Sequence, residues 1–191
     1  MTLMGDKTLN TATLNKLLIK RSVKRGSFIL ASGKPSDIYI DARLTTMSPE
    51  GMLLIGELAL TAIRSQGWKP DAIGGLTMGA DPVAFAISHT SALQNDPIRA
   101  FSVRKQTKEH GTGNRIEGPF QPGDRVVVVE DVITTGKSAL QAIDAIEAAG
   151  GIIIGVLAVV DRQDGGREAI SARGYDVSAL TSITALTASP Q

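Results

Sequence analysis

Residues 126–138 read Val126-Val-Val-Val-Glu-Asp-Val-Ile-Thr-Thr-Gly-Lys-Ser138, an apolar run followed by two acids and a hydroxyl-rich turn. Four consecutive β-branched valines favour a strand that is covered on both faces, as in a parallel sheet. The residues after the turn carry apolar side chains at helical spacing. The stretch therefore predicts a strand over residues 125–129 that ends at the acids, and a helix over residues 138–149.

The turn between these elements has the properties of an anion site. Free N–H groups and the positive end of the dipole at a helix start attract anions, and hydroxyl groups can donate to phosphate oxygens. Gly136 would let the backbone approach a ligand closely. Glu130 and Asp131 would repel phosphate unless they accept hydrogen bonds from ligand hydroxyls or face a metal ion. A ribose 5-phosphate satisfies both requirements, with its diol on the acids and its phosphate on the turn.

Two other interpretations of this stretch are open. A Walker A loop also ends in Gly-Lys-Ser, but it requires glycine five positions before Gly136, where this chain has Asp131. A nucleoside triphosphatase is therefore disfavoured. The second alternative is a strand that ends in solvated acids before an ordinary helix cap.

The whole stretch resembles the motif with which type I phosphoribosyltransferases bind 5-phosphoribosyl 1-diphosphate (PRPP). The resemblance implies that Glu130 and Asp131 hold the ribose hydroxyls. It also implies an α/β fold, with a mostly parallel central sheet flanked by helices and a small N-terminal hood. The loop that would wrap the 5-phosphate comprises Val132, Ile133, Thr134, Thr135, Gly136, Lys137 and Ser138.

Length and composition are consistent with that class. The chain has 191 residues, enough for one domain that buries roughly 70% of its unfolded surface. It has no cysteine, which fits a reducing compartment, and a net charge of +1, which gives no general attraction to nucleic acid or membrane. No apolar run is long enough to cross a bilayer and no signal peptide is visible. We therefore expect a cytoplasmic protein with one domain over residues 1–191, the hood mainly at 1–45 and the core at about 46–186.

The order of predicted elements is that of an α/β protein. Ligands of an open parallel sheet bind beyond the carboxyl ends of its strands. The turns at 74–79, from 104 onward, from 130 onward and at 161–162 are therefore expected to meet in one crevice. The predicted helices span residues 10–24, 49–66, 82–93 and 138–149. The predicted strands span residues 71–75, 98–104, 125–129 and 152–160, with an antiparallel flap at 26–41 and a frayed tail beyond 186.

A basic segment, residues 104–115, contains four Lys or Arg residues and one of the two histidines. It has almost no apolar side chain with which to pack, so its simplest interpretation is a solvated surface loop. Beside a phosphate site it is better interpreted as a lid that brings cations to a polyanion. Arg104, Lys105, Lys108 and His110 resemble the catalytic loop of the family members that use orotate, and the resemblance gives them both PRPP-binding and catalytic roles.

Further segments resemble the same members and imply a base site. Arg162 would contact the orotate carboxylate region, Thr134 would reach the base, and Tyr39 and Ile40 would line the pocket. A guanidinium fork suits a planar anion, whereas a neutral purine does not require one. In the alternative interpretation, Arg162 is a rim arginine paired with Asp161 or Asp164.

The chain departs from the pattern at two positions. Ala31 and Gly79 stand where some family members have lysine. Without these lysines, diphosphate binding is expected to depend more on the backbone N–H groups of residues 77–80, on Mg²⁺ and on the lid cations; the alternative is that the chain binds PRPP more weakly.

The resemblance implies transfer of ribose 5-phosphate from PRPP to N1 of orotate, with Mg²⁺ held mainly by PRPP oxygens, in a homodimer whose lid reaches the neighbouring site. Residues 49–68 are a candidate interface. Two alternatives are a transferase for another base and a non-catalytic PRPP-sensing regulator. His89 receives no role, and Trp68 and Phe85 are expected in the core or an interface.

Overall fold

The computed structural model describes residues 9–29, 33, 35–106 and 115–188. Helix α1 (Thr11–Arg21) leads into an antiparallel pair, β1 (Val23–Ile29) and β2 (Pro35–Ile40), which we call the hood. Helices α2 (Arg43–Thr46) and α3 (Pro49–Ser65) follow. The remaining elements are β3 (Ala72–Leu76), α4 (Ala80–Leu93), β4 (Arg99–Val103), β5 (Ile116–Glu117), β6 (Arg125–Ile133), α5 (Lys137–Ala148), β7 (Ile152–Asp161), α6 (Gly166–Ser171), β8 (Val177–Ser182) and α7 (Ile183–Ala188).

The main sheet has the order β5-β4-β3-β6-β7-β8, and all its pairings are parallel except that of β4 with β5. The valine run lies in β6 and is completely buried. Val127 and Val129 face α1, α3 and α4, whereas Val126 and Val128 face α5 and α6. The prediction of a strand covered on both faces is confirmed. Within the described ranges, no helix is both long and apolar enough to span a membrane.

The predicted end of the central strand was wrong. Strand β6 continues four residues beyond Val129, because Val132 and Ile133 pair with Val160 and Asp161 of β7. Glu130 and Asp131 therefore lie within a strand, and the turn is shortened to residues 134–136. The first helix was also predicted too long. It ends at Arg21, and residue 24 already belongs to β1.

Several short elements were not predicted. They are α2, β5, α6, β8 and α7, each six residues or fewer. Strand β8 extends the sheet beyond β7, and α7 continues through Ala188 with Leu186 buried in the core. The chain from residue 183 to 188 is thus helical rather than frayed, and residues 189–191 lie outside the described part.

A charged pair joins the starts of two central strands. Asp71, just before β3, accepts from the backbone N–H of Arg125 at 2.9 Å and from its guanidinium at 3.1 Å. These contacts lower the pKa of Asp71 to about 2. The contribution of this pair to stability is therefore present above the ordinary value of 3.8 and is lost as the pH falls toward about 2.

We expect the Asp71 carboxyl to titrate near 2 in an NMR pH titration. In the variant Arg125→Gln the pKa of Asp71 should rise toward the ordinary value but stay below it, because the charged donor is gone while the backbone N–H still lowers the pKa. A carboxyl that titrates near 3.8 in the unmodified chain would contradict the pairing.

Candidate active site

A cavity of about 770 Å³ lies at the carboxyl ends of β3, β6 and β7. The end of the hood strand β2 and residues 41–43 form one wall, and the turn after β3 forms another. The β6–α5 turn and Arg162 complete the lining, together with Lys105. All four predicted segments thus contribute to one crevice. The first contributes residues 76–79, and the described part of the second contributes Lys105.

The β6–α5 turn presents the start of a helix to this cavity. Helix α5 begins at Lys137, after Gly136, whose φ of +78° is a backbone conformation that favours glycine. A Cβ at Gly136 would lie 2.8 Å from the carbonyl oxygen of Gly166. The sequence analysis assigned this glycine to ligand approach alone, but contact with α6 also requires it. Thr134, Thr135, Lys137 and Ser138 line the cavity beside it.

Glu130 is an almost completely buried acid at the floor of the cavity. Its exposure is 5%, and Oε1 has no hydrogen-bond partner among the described residues. Burial raises the pKa of Glu130 well above the ordinary value, the neighbouring Asp131 raises it further, and Lys105 lowers it. The site therefore contains an acceptor that lacks a partner and that a ligand hydroxyl or a cation could satisfy.

Asp131 is partly buried and lies beside an ion pair that the sequence analysis missed. Its Oδ1 accepts from the Val132 N–H at 2.8 Å. Burial raises the pKa of Asp131 above its ordinary value, although this N–H and Arg43 act to lower it. Arg43 binds Asp41 through two hydrogen bonds of 2.8 and 3.0 Å. Asp41 and Arg43 both line the cavity. An acidic residue directly after Ile40, with arginine two positions later, was the available sequence signal.

The turn after β3 touches Asp131 without any intervening side chain. A Cβ at Gly79 would lie 2.5 Å from Oδ1 of Asp131. On the same turn, Thr77 donates from Oγ1 to Oδ2 of Asp81 at 2.6 Å. Position 79, where some family members have lysine, is therefore in close contact with the acid pair. A side chain at this position would displace the Asp131 carboxylate or the turn.

The structure describes only the ends of the predicted lid. Lys105 lines the cavity, and its carbonyl oxygen accepts from Gln141 Nε2 on α5 at 3.1 Å. Arg104 instead forms an exposed ion pair with Glu117 at 3.3 Å. The structure therefore brings Lys105 to the site but not the side chain of Arg104. Lys108 and His110 lie outside the described residues, as does Ala31.

Arg162 reaches the cavity from the end of β7, and its side chain is only 9% exposed. It forms an ion pair with Asp164 at 3.2 Å, which is the contact proposed in the alternative interpretation, and Asp161 pairs with Arg167 instead. Its guanidinium also donates to strand β2, on which Tyr39 and Ile40 line the cavity. Arg162 therefore forms the ion pair with Asp164 that the alternative interpretation expects, and it also lines the cavity as a base-binding residue would.

The minor candidates lie away from the cavity lining. His89 is on α4, Trp68 packs against Gly155, and Phe85 is 48% exposed, so Phe85 is not a core residue. Among the described side chains, no group of three or more His, Cys, Asp or Glu is arranged to hold a metal.

Known proteins share this architecture. The model of the phosphoribosyl transferase domain family matches residues 46–183. An orotate phosphoribosyltransferase of Aquifex aeolicus is 45% identical over 93% of this chain and 98% of its own length. The Mycobacterium tuberculosis H37Rv orotate phosphoribosyltransferase in complex with Fe(III) dicitrate has a TM-score of 0.82 and 43% identity, covering 92% of this chain and 98% of the other. The same enzyme in complex with PRPP has a TM-score of 0.79 and 40% identity, covering 93% and 98%.

These matches confirm the predicted fold, a central mostly parallel sheet flanked by helices. The matched family segment runs from the end of α2 to just past the end of β8, and it includes α3, the β6–α5 turn, the acid pair and Arg162. The chain belongs to the orotate phosphoribosyltransferases, within the type I phosphoribosyltransferase family.

Proposed function

We propose that this protein transfers the ribose 5-phosphate of PRPP to N1 of orotate, giving orotidine 5′-monophosphate and pyrophosphate in pyrimidine biosynthesis. One observation carries the proposal. A helix-start turn, two buried or half-buried acids and a nearly buried arginine line the same cavity. These groups complement a phosphate, a ribose diol and an anionic base, respectively.

PRPP is assigned to the side of the cavity formed by β6 and α5. The 5-phosphate would accept from the N–H and hydroxyl groups of the turn, made by Thr134, Thr135, Gly136, Lys137 and Ser138, while Val132 and Ile133 support it from β6. Glu130 and Asp131 would accept from the ribose hydroxyls. Glu130 Oε1 has no partner in the part of the chain that the structure describes, which supports this role because a hydroxyl donor would satisfy the atom.

The base is assigned to the wall formed by the hood. Arg162 would bind the orotate carboxylate, Thr134 would contact the ring, and Tyr39 and Ile40 would cover its face. Tyr39 is 38% exposed and stacks at a tilt on Phe28, with ring centroids 5.6 Å apart. A partly exposed aromatic wall of this kind can cover a planar ring.

In the proposed reaction, N1 of orotate attacks C1 of the ribose and loses its proton to solvent, the C1–O bond to the diphosphate breaks, and pyrophosphate leaves with both electrons of that bond. Bound Mg²⁺, held mainly by PRPP oxygens, supplies charge neutralisation at the leaving group. Lys105 and Lys108 would stabilise the departing diphosphate, and Arg104 would do so once its side chain leaves Glu117, while His110 would donate a hydrogen bond or proton to it. Glu130 and Asp131 favour positive charge that develops on the ribose. The hard carboxylate oxygens of this pair are suitable for magnesium.

Gly79 gives a prediction about the diphosphate side. We expect Gly79→Ala to raise the KM for PRPP about 10-fold, because the new Cβ would displace Asp131 or the turn. Gly79→Lys should also weaken PRPP binding, despite its added positive charge. The control is Ser65→Ala, which changes an exposed side chain of α3 that does not line the cavity. Tighter binding by Gly79→Lys in steady-state kinetics would contradict the steric account.

We also propose a homodimer, with residues 1–191 as one domain, in which Lys105 lines the cavity of its own subunit and the rest of the lid acts at the neighbouring site. Helices α2 and α3 support an interface, because Leu44, Met47, Met52 and Leu53 are each more than a third exposed. The proposed location is the cytoplasm, which the absence of cysteine favours.

The activity is tested by following the near-ultraviolet absorbance of orotate with PRPP and Mg²⁺, with and without a chelator. The proposal predicts a loss of absorbance that the chelator abolishes. A protein that binds PRPP but consumes no orotate would instead be a regulator or a transferase for another base.

A further inference from the structure

Arg162 is held at its tip by the hood. Its Nη1 donates to the carbonyl oxygen of Ile38 at 3.2 Å, and its Nη2 donates to Ser36 Oγ at 3.3 Å. Nε donates to Asp164 Oδ2 at 3.2 Å. An arginine has five N–H groups, so three are committed to these partners and two remain for a ligand.

Ser36 is the centre of this arrangement. Its Oγ donates to the carbonyl oxygen of Ile38 at 2.8 Å and accepts from the Ile38 N–H at 3.2 Å. The single hydroxyl proton is therefore directed at Ile38, which leaves oxygen lone pairs to face the N–H donors of Ile38 and Arg162. The orientation of the hydroxyl is thereby fixed by the strand itself.

The other end of Arg162 is held by the core. The Gln163 N–H donates to Asp161 Oδ1 at 2.8 Å, and Asp161 also pairs with Arg167 at 3.0 Å. Gln163 in turn accepts from Thr184 Oγ1 at 2.6 Å. The backbone of Arg162 is thus fixed from the sheet, and only its guanidinium depends on the hood for orientation.

We propose that Ser36 is a positioning residue for recognition of the base carboxylate. It holds the guanidinium of Arg162 in the plane in which its two remaining N–H groups meet an anionic pyrimidine. The inference rests on the proposed function, and it adds that discrimination for the carboxylate is set in part from the hood. Ser36 itself does not contact the substrate in this account, and it was not among the predicted site residues.

The test uses Ser36→Ala and the conservative variant Ser36→Thr in the full chain. The affinities of orotidine 5′-monophosphate and uridine 5′-monophosphate are measured by calorimetry, because the two differ only in the base carboxylate. We expect Ser36→Ala to weaken the binding of orotidine 5′-monophosphate about 10-fold, because one hydrogen bond to a charged group is lost. Binding of uridine 5′-monophosphate and the KM for PRPP should remain unchanged, and Ser36→Thr should restore the wild-type affinity.

The matched control is Ser65→Ala, which removes an exposed hydroxyl that donates to the Ala62 carbonyl oxygen at 2.8 Å. An equal loss for both nucleotides in Ser36→Ala would indicate a general structural role and would overturn the proposal, as would an unchanged affinity for orotidine 5′-monophosphate. Failure of the proposed function is separate, because then the unmodified protein would neither bind orotidine 5′-monophosphate nor consume orotate.

Discussion

Replacing Lys105 by alanine is expected to lower kcat by roughly 10²–10³-fold, the effect of removing one preorganised donor to a developing negative charge. Lys105 lines the cavity and is the one predicted lid cation whose side chain the described residues bring there. Because the diphosphate gains charge as the C1–O bond breaks, this interaction is stronger in the transition state than in the ground state. The affinity for PRPP should therefore change much less than kcat.

Two further variants serve as controls for this prediction. Lys105→Arg retains the positive charge and should keep more activity than Lys105→Ala. Lys69→Ala removes an exposed lysine outside the cavity and should behave like the unmodified protein. Steady-state and single-turnover rates would be compared. A Lys105→Ala variant with a raised KM for PRPP and an unchanged kcat would contradict this prediction, because it would show that the residue stabilises the ground state and the transition state equally.

The second large effect is expected at Glu130, where stability and activity should change in opposite directions. Glu130→Gln removes the charge of a buried acid while keeping its shape. We expect kcat/KM for PRPP to fall about 10–100-fold, because a hydrogen bond to a charged acceptor contributes roughly 1.5–3 kcal/mol. At high pH the free energy of unfolding should increase, since the folded protein no longer buries a carboxylate.

The pH dependence follows from the raised pKa of Glu130. A carboxyl whose pKa is higher in the folded state than in the unfolded state costs no stability while it is protonated in both. The cost appears as the pH rises above the ordinary value of 4.5 and is complete above the folded pKa. The difference in unfolding free energy between Glu130→Gln and the unmodified protein should therefore increase with pH.

Thermal and denaturant unfolding between pH 5 and pH 9 would measure this difference. Glu168→Gln, on the exposed side of α6, is the control and should show no such trend. If Glu130→Gln is less stable than the unmodified protein at every pH, then Glu130 is a structural acid and not a group held at a cost for ligand binding.

The central strand and the turn after it were predictable because their signals are local. Four β-branched residues, then Gly136 before an amphipathic helix, specify strand, turn and helix within thirteen residues. The signal that sets the end of the strand is not local. Glu130 and Asp131 continue in β6 because Val132 and Ile133 pair with β7, a contact with residues about thirty positions away.

The contacts between the hood and Arg162 were harder still to predict from the sequence. Ser36 and Arg162 are separated by 126 positions, yet their side chains meet. Neither residue has a neighbour pattern that indicates the other, so the sequence predicted Arg162 and left its partners unassigned. The pair of Asp41 and Arg43 was missed for a different reason, because two opposite charges two positions apart on a surface segment usually bind only each other.

The central claim is that one cavity combines PRPP with an anionic pyrimidine. It is tested most directly by pyrophosphate release from PRPP and Mg²⁺ in the presence of orotate, uracil, adenine or hypoxanthine, each added alone. The account predicts release with orotate and little with the three neutral bases, and it predicts that Arg162→Ala loses the orotate reaction. Release with a purine but not with orotate would contradict the assignment of Arg162 and of the whole base site.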